Sequence, residues 1–359
     1  MELALDDDRE LLRSTLKDFA KNRLRRKTRD WDEAAAIPQE ALDEGWSLGL
    51  FADAESAPSA LTGAVALEEL AWGDLAFAQR LFAPAHVAVP VALFGTSEEK
   101  SEIFAPIAAS AKLPAATGAW IEPSRGFDLA SIRTRMVTSP VGTVVTGTKG
   151  FVPAGAASET TLVYARSSTS TGFSGIDAFV VSGKNASGVT RVAGEDVIGP
   201  RAAGQHRLAF EDAPARRIGG TRGVDYRILA ARALTASAAA AVGVTRAAAE
   251  YAAAYAKERV AFGRAIAQNQ SIAFMIADAF TDAEAARWMT WKAAWKLDRN
   301  EDALKEAGLA FRFATDAAFK HADNGVQILG GHGVIRDHLS ELFFRNARAL
   351  AVTPGALIV

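Results

Sequence analysis

The stretch Tyr255-Ala-Lys-Glu-Arg259-Val-Ala-Phe262-Gly263-Arg-Ala-Ile266-Ala-Gln-Asn-Gln270 sits between two helical rhythms and decides how the chain is read. Before it, Leu234, Ala238, Ala241, Thr245, Ala248, Ala252 and Tyr255 recur in steps of four and three, the spacing of one helix face. After it, Ile272, Ile276, Ala279, Ala283 and Ala286 keep the same rhythm. The first stripe is mostly alanine, which permits close helix–helix approach. No proline occurs between Pro214 and Pro354, so this span lacks the residue that most reliably breaks a helix. A helix pair with a third and fourth element predicts a four-helix bundle over residues 223–359.

Working outward, residues 114–222 have a different texture. The runs Thr143-Val144-Val145-Thr146, Thr161-Leu162-Val163-Tyr164 and Ala178-Phe179-Val180-Val181 alternate with Gly, Ser and Asn turns, which predicts a compact, barrel-like β-domain. Residues 1–113 read as helices again. Asp7 and Asp8 can cap a start, and Leu11, Leu12, Leu16, Phe19 and Ala20 follow at helical spacing. A second helix is expected from Leu61 to Gly73, and Thr96 or Ser97 before Glu98-Glu99-Lys100 reads as an N-cap with an acidic first turn. The fold class is therefore α+β, mainly α, in three parts.

Bulk properties exclude several functions. The chain has 359 residues, 49% hydrophobic and 23% charged, with a net charge of −2, which predicts no general attraction to nucleic acid or anionic membrane. It has no cysteine, so disulfides, thiolate metal sites and cysteine nucleophiles are excluded. The five histidines, at positions 86, 206, 321, 332 and 338, lack ligand spacing, so no metal site is expected. The N-terminus, Met-Glu-Leu-Ala-Leu-Asp-Asp-Asp, is not patterned as a signal peptide. No charge-free run of about 18 apolar residues predicts a membrane span. The expected location is cytoplasmic.

Six strings, in order along the chain, resemble the acyl-CoA dehydrogenase family. Tyr255 to Gln270 is similar to its Arg-x-x-Phe-Gly…Gln signature. Gln327-Ile-Leu-Gly330-Gly331-His-Gly333 resembles its Gln-x-x-Gly-Gly-x-Gly turn, and Phe344-Arg345-Asn346-Ala347-Arg348 stands where the family has Arg-Asp-Ala. Phe94-Gly95-Thr96-Ser-Glu-Glu-Lys100 is similar to an N-terminal-domain element, and Ile121-Glu122-Pro123-Ser-Arg-Gly126-Phe-Asp128 to the Thr-Glu-Pro-x-x-Gly-Ser-Asp flavin loop. Gly199-Pro-Arg201 through Phe210-Glu-Asp212 is similar to the end of the β-domain.

The resemblance implies FAD, shared across a subunit interface, with the C-terminal elements reaching the ADP half of a neighbour's cofactor. It assigns that half-site to Arg259, Phe262, Asn269, Gln270, Gln327, Gly330 and Gly331. The residue types suit the task. Arg259 can offer a bidentate guanidinium, the glycine turn permits close backbone approach and an anion-binding nest, and the amides suit adenine or ribose. From the residues alone, Arg259 can equally pair with a helix-face glutamate and Gly330 to Gly333 can be a helix cap.

The same resemblance exposes a loss. Family members desaturate acyl thioesters, a carboxylate taking the α-proton while flavin accepts hydride. Counting from Arg345 puts the usual base at Pro354; counting back from Tyr255 puts the alternative helical base at Ala233. Neither side chain accepts a proton, so no catalytic residue is assigned. Ile121, Phe127 and Phe151-Val152-Pro153 replace hydroxyl-bearing flavin contacts, and Leu234 replaces an arginine, with Arg232 on another helical face. A general base contributes about 10²–10⁴-fold, roughly 3–6 kcal/mol of barrier.

The leading expectation is a non-catalytic subunit of an α2β2 acyl-CoA dehydrogenase in fatty-acid or steroid side-chain β-oxidation. It would complete the FAD site of a related catalytic subunit, with acyl-CoA as the complex's substrate and electron-transfer flavoprotein as its acceptor. The alternatives are a stand-alone flavoenzyme with a displaced base or altered chemistry, such as a desulfinase-like lyase, and a non-enzymatic scaffold paralogue. Asp225, Glu250 and His332 are the conceivable displaced acid–base groups; Arg201 and Arg345 suit fold-holding ion pairs.

Overall fold

The computed structural model of the chain describes residues 4–51, 53, 56–124, 127–139 and 142–359. Arg125 and Gly126 of the flavin-loop string and the first three residues of the acidic N-terminus lie outside these. The N-terminal part contains α1 (Asp7–Phe19), α2 (Thr28–Ala34), α3 (Gln39–Trp46), α4 (Ala60–Gly73), α5 (Leu75–Leu81), α6 (Ala85–Phe94), α7 (Ser97–Glu99) and α8 (Ala105–Ala108). The cap of α1 is Asp6, whose carboxylate accepts the Arg9 N–H at 2.9 Å. Asp7 and Asp8, the expected caps, instead fill the acidic first turn. At α7, Thr96 and Glu99 form a reciprocal capping box, with bonds of 3.2 and 2.8 Å.

The middle strands are β1 (Ala116–Ala119), β2 (Arg135–Ser139), β3 (Gly142–Val152), β4 (Thr160–Arg166), β5 (Ile176–Ser182), β6 (Val189–Gly194), β7 (His206–Pro214) and β8 (Arg216–Arg217). They form one curled sheet in the order β6-β7-β3-β2-β4-β5-β8, with β1 beside β4. Strand alternation divides their side chains between two cores. Val163, Ala165, Phe179 and Val181 join Val145, Val152, Leu208 and Phe210 inside the sheet. Leu162, Tyr164, Ala178 and Val180 face the helices and join the main core.

The C-terminal bundle contains α9 (Tyr226–Glu258), α10 (Gln270–Asp298), α11 (Leu304–Leu329) and α12 (Ser340–Val352), with a two-strand hairpin, β9 (Val260–Ala261) and β10 (Arg264–Ala265), between the first two helices. Asp225 caps α9 by accepting the Arg227 and Ile228 N–H groups. The most apolar stretch of α9 is long enough to cross a membrane, but 89% of it is buried inside the fold, as a core helix requires. Gly243, on the face opposite the alanine stripe, lets α4 approach closely: a Cβ added there would lie 2.3 Å from the Glu68 carbonyl. The two ends of the chain are joined where Arg345 meets Asp32 at 2.7 Å and Glu341 at 2.6 Å, while Arg201 donates to the Asp32 carbonyl at 3.0 Å.

Candidate functional site

One end of the bundle gathers the expected nucleotide-tail residues. Ala252, Ala256, Ile266, Ile328 and Leu329 form a small separate core, which fixes the β9–β10 hairpin against the end of α11. Arg259 is exposed on this hairpin and makes no ion pair among the described residues, so the glutamate partner it could have taken is not used. Phe262 lies fully exposed at φ 52° beside Gly263 at φ 81°. Gln270 opens α10 and Gln327 lies in the last turn of α11, both exposed.

Gly330 does end α11, at φ 59°. It also leaves a cradle, because no atom lies within 4 Å of a Cβ built at Gly330 or Gly331. The helix cap thus leaves open space beside both glycines. Asn269 differs from the rest: its Oδ1 accepts from Arg264 at 2.7 Å and its Nδ2 donates to the Ile266 carbonyl at 3.1 Å. Both ends of that amide are used locally.

Between sheet and bundle lies a cavity of about 880 Å³, whose walls include Ile121, Phe127, Phe151, Phe173, Leu234, Phe311, Val352 and Pro354. Pro354 therefore faces the space where the base is expected. Ala233 does not; it is fully buried in α9, and Leu234 is the residue that reaches the cavity. Arg232 is turned into the core, donating to the carbonyls of Pro58 at 3.1 Å and Val359 at 2.6 Å.

The carboxylates at this cavity are Glu122, Asp128 and Glu195. Glu122 accepts from the N–H groups of Arg133 and Thr134 at 2.8 Å, the Thr134 hydroxyl at 2.7 Å and the Lys149 ammonium at 3.0 Å. Burial alone would raise its pKa, but Lys149 and these donors hold it below the usual range. Lys149 is itself pulled down to about 8 by burial, against the opposing pull of Glu122. Glu195 accepts the Phe151 N–H at 2.6 Å and is gripped by Arg207 at 3.1 and 3.2 Å. Asp128 alone keeps an oxygen without a partner: its Oδ1 accepts the Ala130 N–H at 2.6 Å, and Oδ2 is unengaged among the described residues.

The other acid–base candidates lie elsewhere. Asp225 is the α9 cap, Glu250 accepts from the Trp72 indole at 2.9 Å, and His332 meets Tyr255 at the bundle end. No cluster able to hold a metal occurs among the described residues. Sequence reading missed the holding of Glu195 and the openness of Asp128, neither of which leaves a trace in residue spacing.

The chain matches the acyl-CoA dehydrogenase N-terminal domain over residues 6–111, the middle domain over 117–213 and the C-terminal domain over 219–357. It is 31% identical to cyclohex-1-ene-1-carbonyl-CoA dehydrogenase of Geobacter metallireducens, covering 98% of this chain and 95% of that one. It is 29% identical to the caffeyl-CoA reductase-Etf complex subunit CarC of Acetobacterium woodii, covering 97% and 95%. The solved butyryl-CoA dehydrogenase of Megasphaera elsdenii superimposes with a TM-score of 0.87 at 27% identity over 99% of this chain and 96% of that one. A helical layer, a curled sheet and a bundle, with the cavity between sheet and bundle, define an acyl-CoA dehydrogenase-like, FAD-binding fold. The chain belongs to the acyl-CoA dehydrogenase family.

The fit to FAD divides by end. Arg259, which makes no ion pair among the described residues, and the open space beside Gly330 and Gly331 suit a pyrophosphate. At the ring end, Ile121, Phe127 and Phe151 offer apolar faces, Ser124 is the one hydroxyl among the described cavity walls, and the Phe151 N–H is already satisfied.

Proposed function

We propose that this chain is a non-catalytic subunit of an FAD-dependent acyl-CoA dehydrogenase, paired with a related catalytic chain in a cytoplasmic α2β2 assembly. The observation that carries this reading is the cavity wall at Leu234 and Pro354, where an α-proton would need an acceptor and finds hydrocarbon. Glu122 and Glu195 do not replace it, since their oxygens are held by backbone and cationic donors. When bound, FAD supplies hydride acceptance. This chain contributes Arg259, Phe262, Gln270, Gln327, Gly330 and Gly331 toward the nucleotide tail of the partner's cofactor, with Asn269 bracing the hairpin. The full-length likeness to a subunit named as part of an Etf complex supports electron-transfer flavoprotein as the acceptor of the assembly.

The second reading is a stand-alone flavoenzyme with a displaced base, and the comparisons favour it, because end-to-end relatives are named as dehydrogenases and reductases. Asp128 is the observation behind it, being the one cavity carboxylate with an open oxygen.

Purification of the full chain alone separates the two. A colourless protein that takes up FAD only with a related chain supports the subunit reading. A yellow protein bleached by an acyl-CoA, with bleaching lost in Asp128→Asn, overturns that reading and establishes the second. A chain that never acquires flavin or nucleotide, alone or paired, leaves the scaffold reading.

A further inference from the structure

Arg80 stands apart among the arginines of this chain. It lies in the last turn of α5, shielded from most solvent. Its Nε is buried without a partner. Nη1 and Nη2 also have no acceptor among the described residues, but they keep access to solvent. Every other described arginine that is not exposed reaches a carboxylate, a hydroxyl or a carbonyl. The electrostatics agree with the geometry. Burial lowers the Arg80 pKa with no carboxylate acting against it, whereas carboxylates hold Arg246 and Arg345 above the ordinary value.

We infer that Arg80 anchors an oxyanion site, taking a phosphate or carboxylate group between the end of α5 and the Gly204 turn. A largely buried charge without a counter-ion is costly, and an anion that reaches it removes that cost. The planar guanidinium fork suits two oxygens at once. Gly204, at φ 60°, keeps the approach open: a Cβ there would lie 3.5 Å from Arg80 Nη1 and cover it. The Gly204 carbonyl is already met by His206 Nδ1 at 2.7 Å. Gln79, one residue before Arg80, is fully buried; its Oε1 accepts from Gln205 at 3.0 Å, while its Nε2 has no acceptor. Two successive side chains of α5 thus turn to Gly204 and Gln205 with donors to spare.

The fold itself offers little relief for this charge. The carbonyl end of a helix favours a cation in its last turn only weakly. Arg201, in the same turn as Gly204, is already spent on the Asp32 carbonyl, and Asp32 is itself held by Arg345. A bound oxyanion would add a second tie between α5 and the turn before β7, beside the Gln79–Gln205 bond. Arg80 is neither a wall of the large cavity nor part of the bundle-end group around Arg259, so the site stands or falls independently of the flavin and of the subunit reading.

The test melts the full chain in chloride, inorganic phosphate or acetate at one ionic strength, so that general screening is equal in all three. Phosphate or acetate should raise the wild-type melting temperature by about 3 °C or more over chloride, and Arg80→Gln and Arg80→Met should lose that rise. In chloride, Arg80→Met should melt no lower than wild type, because it removes a charge that has no counter-ion. Gly204→Asp supplies a carboxylate within reach of Nη1, with Gly204→Asn as the control that shares its backbone cost. The aspartate variant should melt above the asparagine variant in chloride and lose most of the response to added anion. A rise with phosphate alone assigns a phosphate group, and equal rises assign any oxyanion of this size. Melting of the wild type that is indifferent to both anions, or a rise that both Arg80 variants keep, overturns the site. Arg80→Met and Arg80→Gln both melting several degrees below wild type in chloride would show the guanidinium already satisfied, and would overturn it too.

Discussion

Arg345 holds Asp32 through two parallel bonds, Nη2 to Oδ2 at 2.7 Å and Nη1 to Oδ1 at 3.1 Å, joining the last helix of the bundle to the second helix of the chain. Asp32 is only 4% exposed, so its charge depends on this partner and on Arg29, 3.5 Å away. Burial would lower the Arg345 pKa, but Asp32 and Glu341 outweigh it and hold it above the ordinary range. Removing Arg345 leaves the buried Asp32 with Arg29 alone, a longer and one-pronged contact. Arg345→Ala should therefore cost part of the penalty for orphaning a buried charge, about 1–3 kcal/mol of unfolding free energy, read by chemical denaturation. Arg345→Lys should recover only part of it, because a single ammonium cannot reproduce the two-pronged contact.

Gly243 is where the long helix touches α4. A methyl group there would sit 2.3 Å from the Glu68 carbonyl oxygen and 2.9 Å from the Trp72 nitrogen, both backbone atoms that cannot step aside cheaply. Alanine raises helix propensity by about 1 kcal/mol, so an isolated helix would gain. Here the clash should win, and Gly243→Ala is expected to destabilise by about 1–3 kcal/mol. An unchanged or raised melting temperature would show that α4 and α9 are less tightly apposed than described.

His86 sets an acid limit on stability. Burial lowers its pKa from 6.5 to about 4, with the backbone of Ala356 opposing weakly. The unfolded chain then binds a proton between about pH 6.5 and 4 that the folded chain refuses, so stability falls as pH drops through that window. The loss should approach about 3 kcal/mol by pH 4. Glu122 acts in the same direction but lower, since its folded pKa is depressed below 4.5 and its contribution is lost only as pH falls further. His86→Gln should flatten the upper window alone, in urea titrations repeated from pH 7 to pH 4.

Much of the framework was legible because it depends on near neighbours. The Thr96 cap is read from a hydroxyl and a carboxylate three residues apart, and the α9 and α10 stripes from steps of three and four. The cavity was harder. One residue of helix turns a side chain by about 100°, so counting back from Tyr255 could name Ala233 while Leu234 is the residue that faces the space. The setting of Glu122 was hidden for a different reason: its donors come from Arg133, Thr134 and Lys149, brought together only by strand pairing. The resemblance assigns Asn269 to the half-site, but Arg264, five residues earlier on the second strand of the hairpin, takes its amide oxygen.

Phe151 illustrates how the cavity wall is held in shape. Its backbone adopts φ 52°, a left-handed conformation that costs a side-chain-bearing residue roughly 1–2 kcal/mol. The Glu195 carboxylate on its N–H, fixed in turn by Arg207, stabilises that bend. Glu195→Ala should cost about 1–3 kcal/mol by leaving the N–H and the guanidinium without their acceptor. Phe151→Gly removes the conformational cost but also the ring that lines the cavity. If Glu195 serves to hold the bend, the double variant should be more stable than the sum of the single losses predicts, by about 1 kcal/mol in a double-mutant cycle. Strict additivity would mean that the bend is held by the sheet alone and that Glu195 only neutralises Arg207.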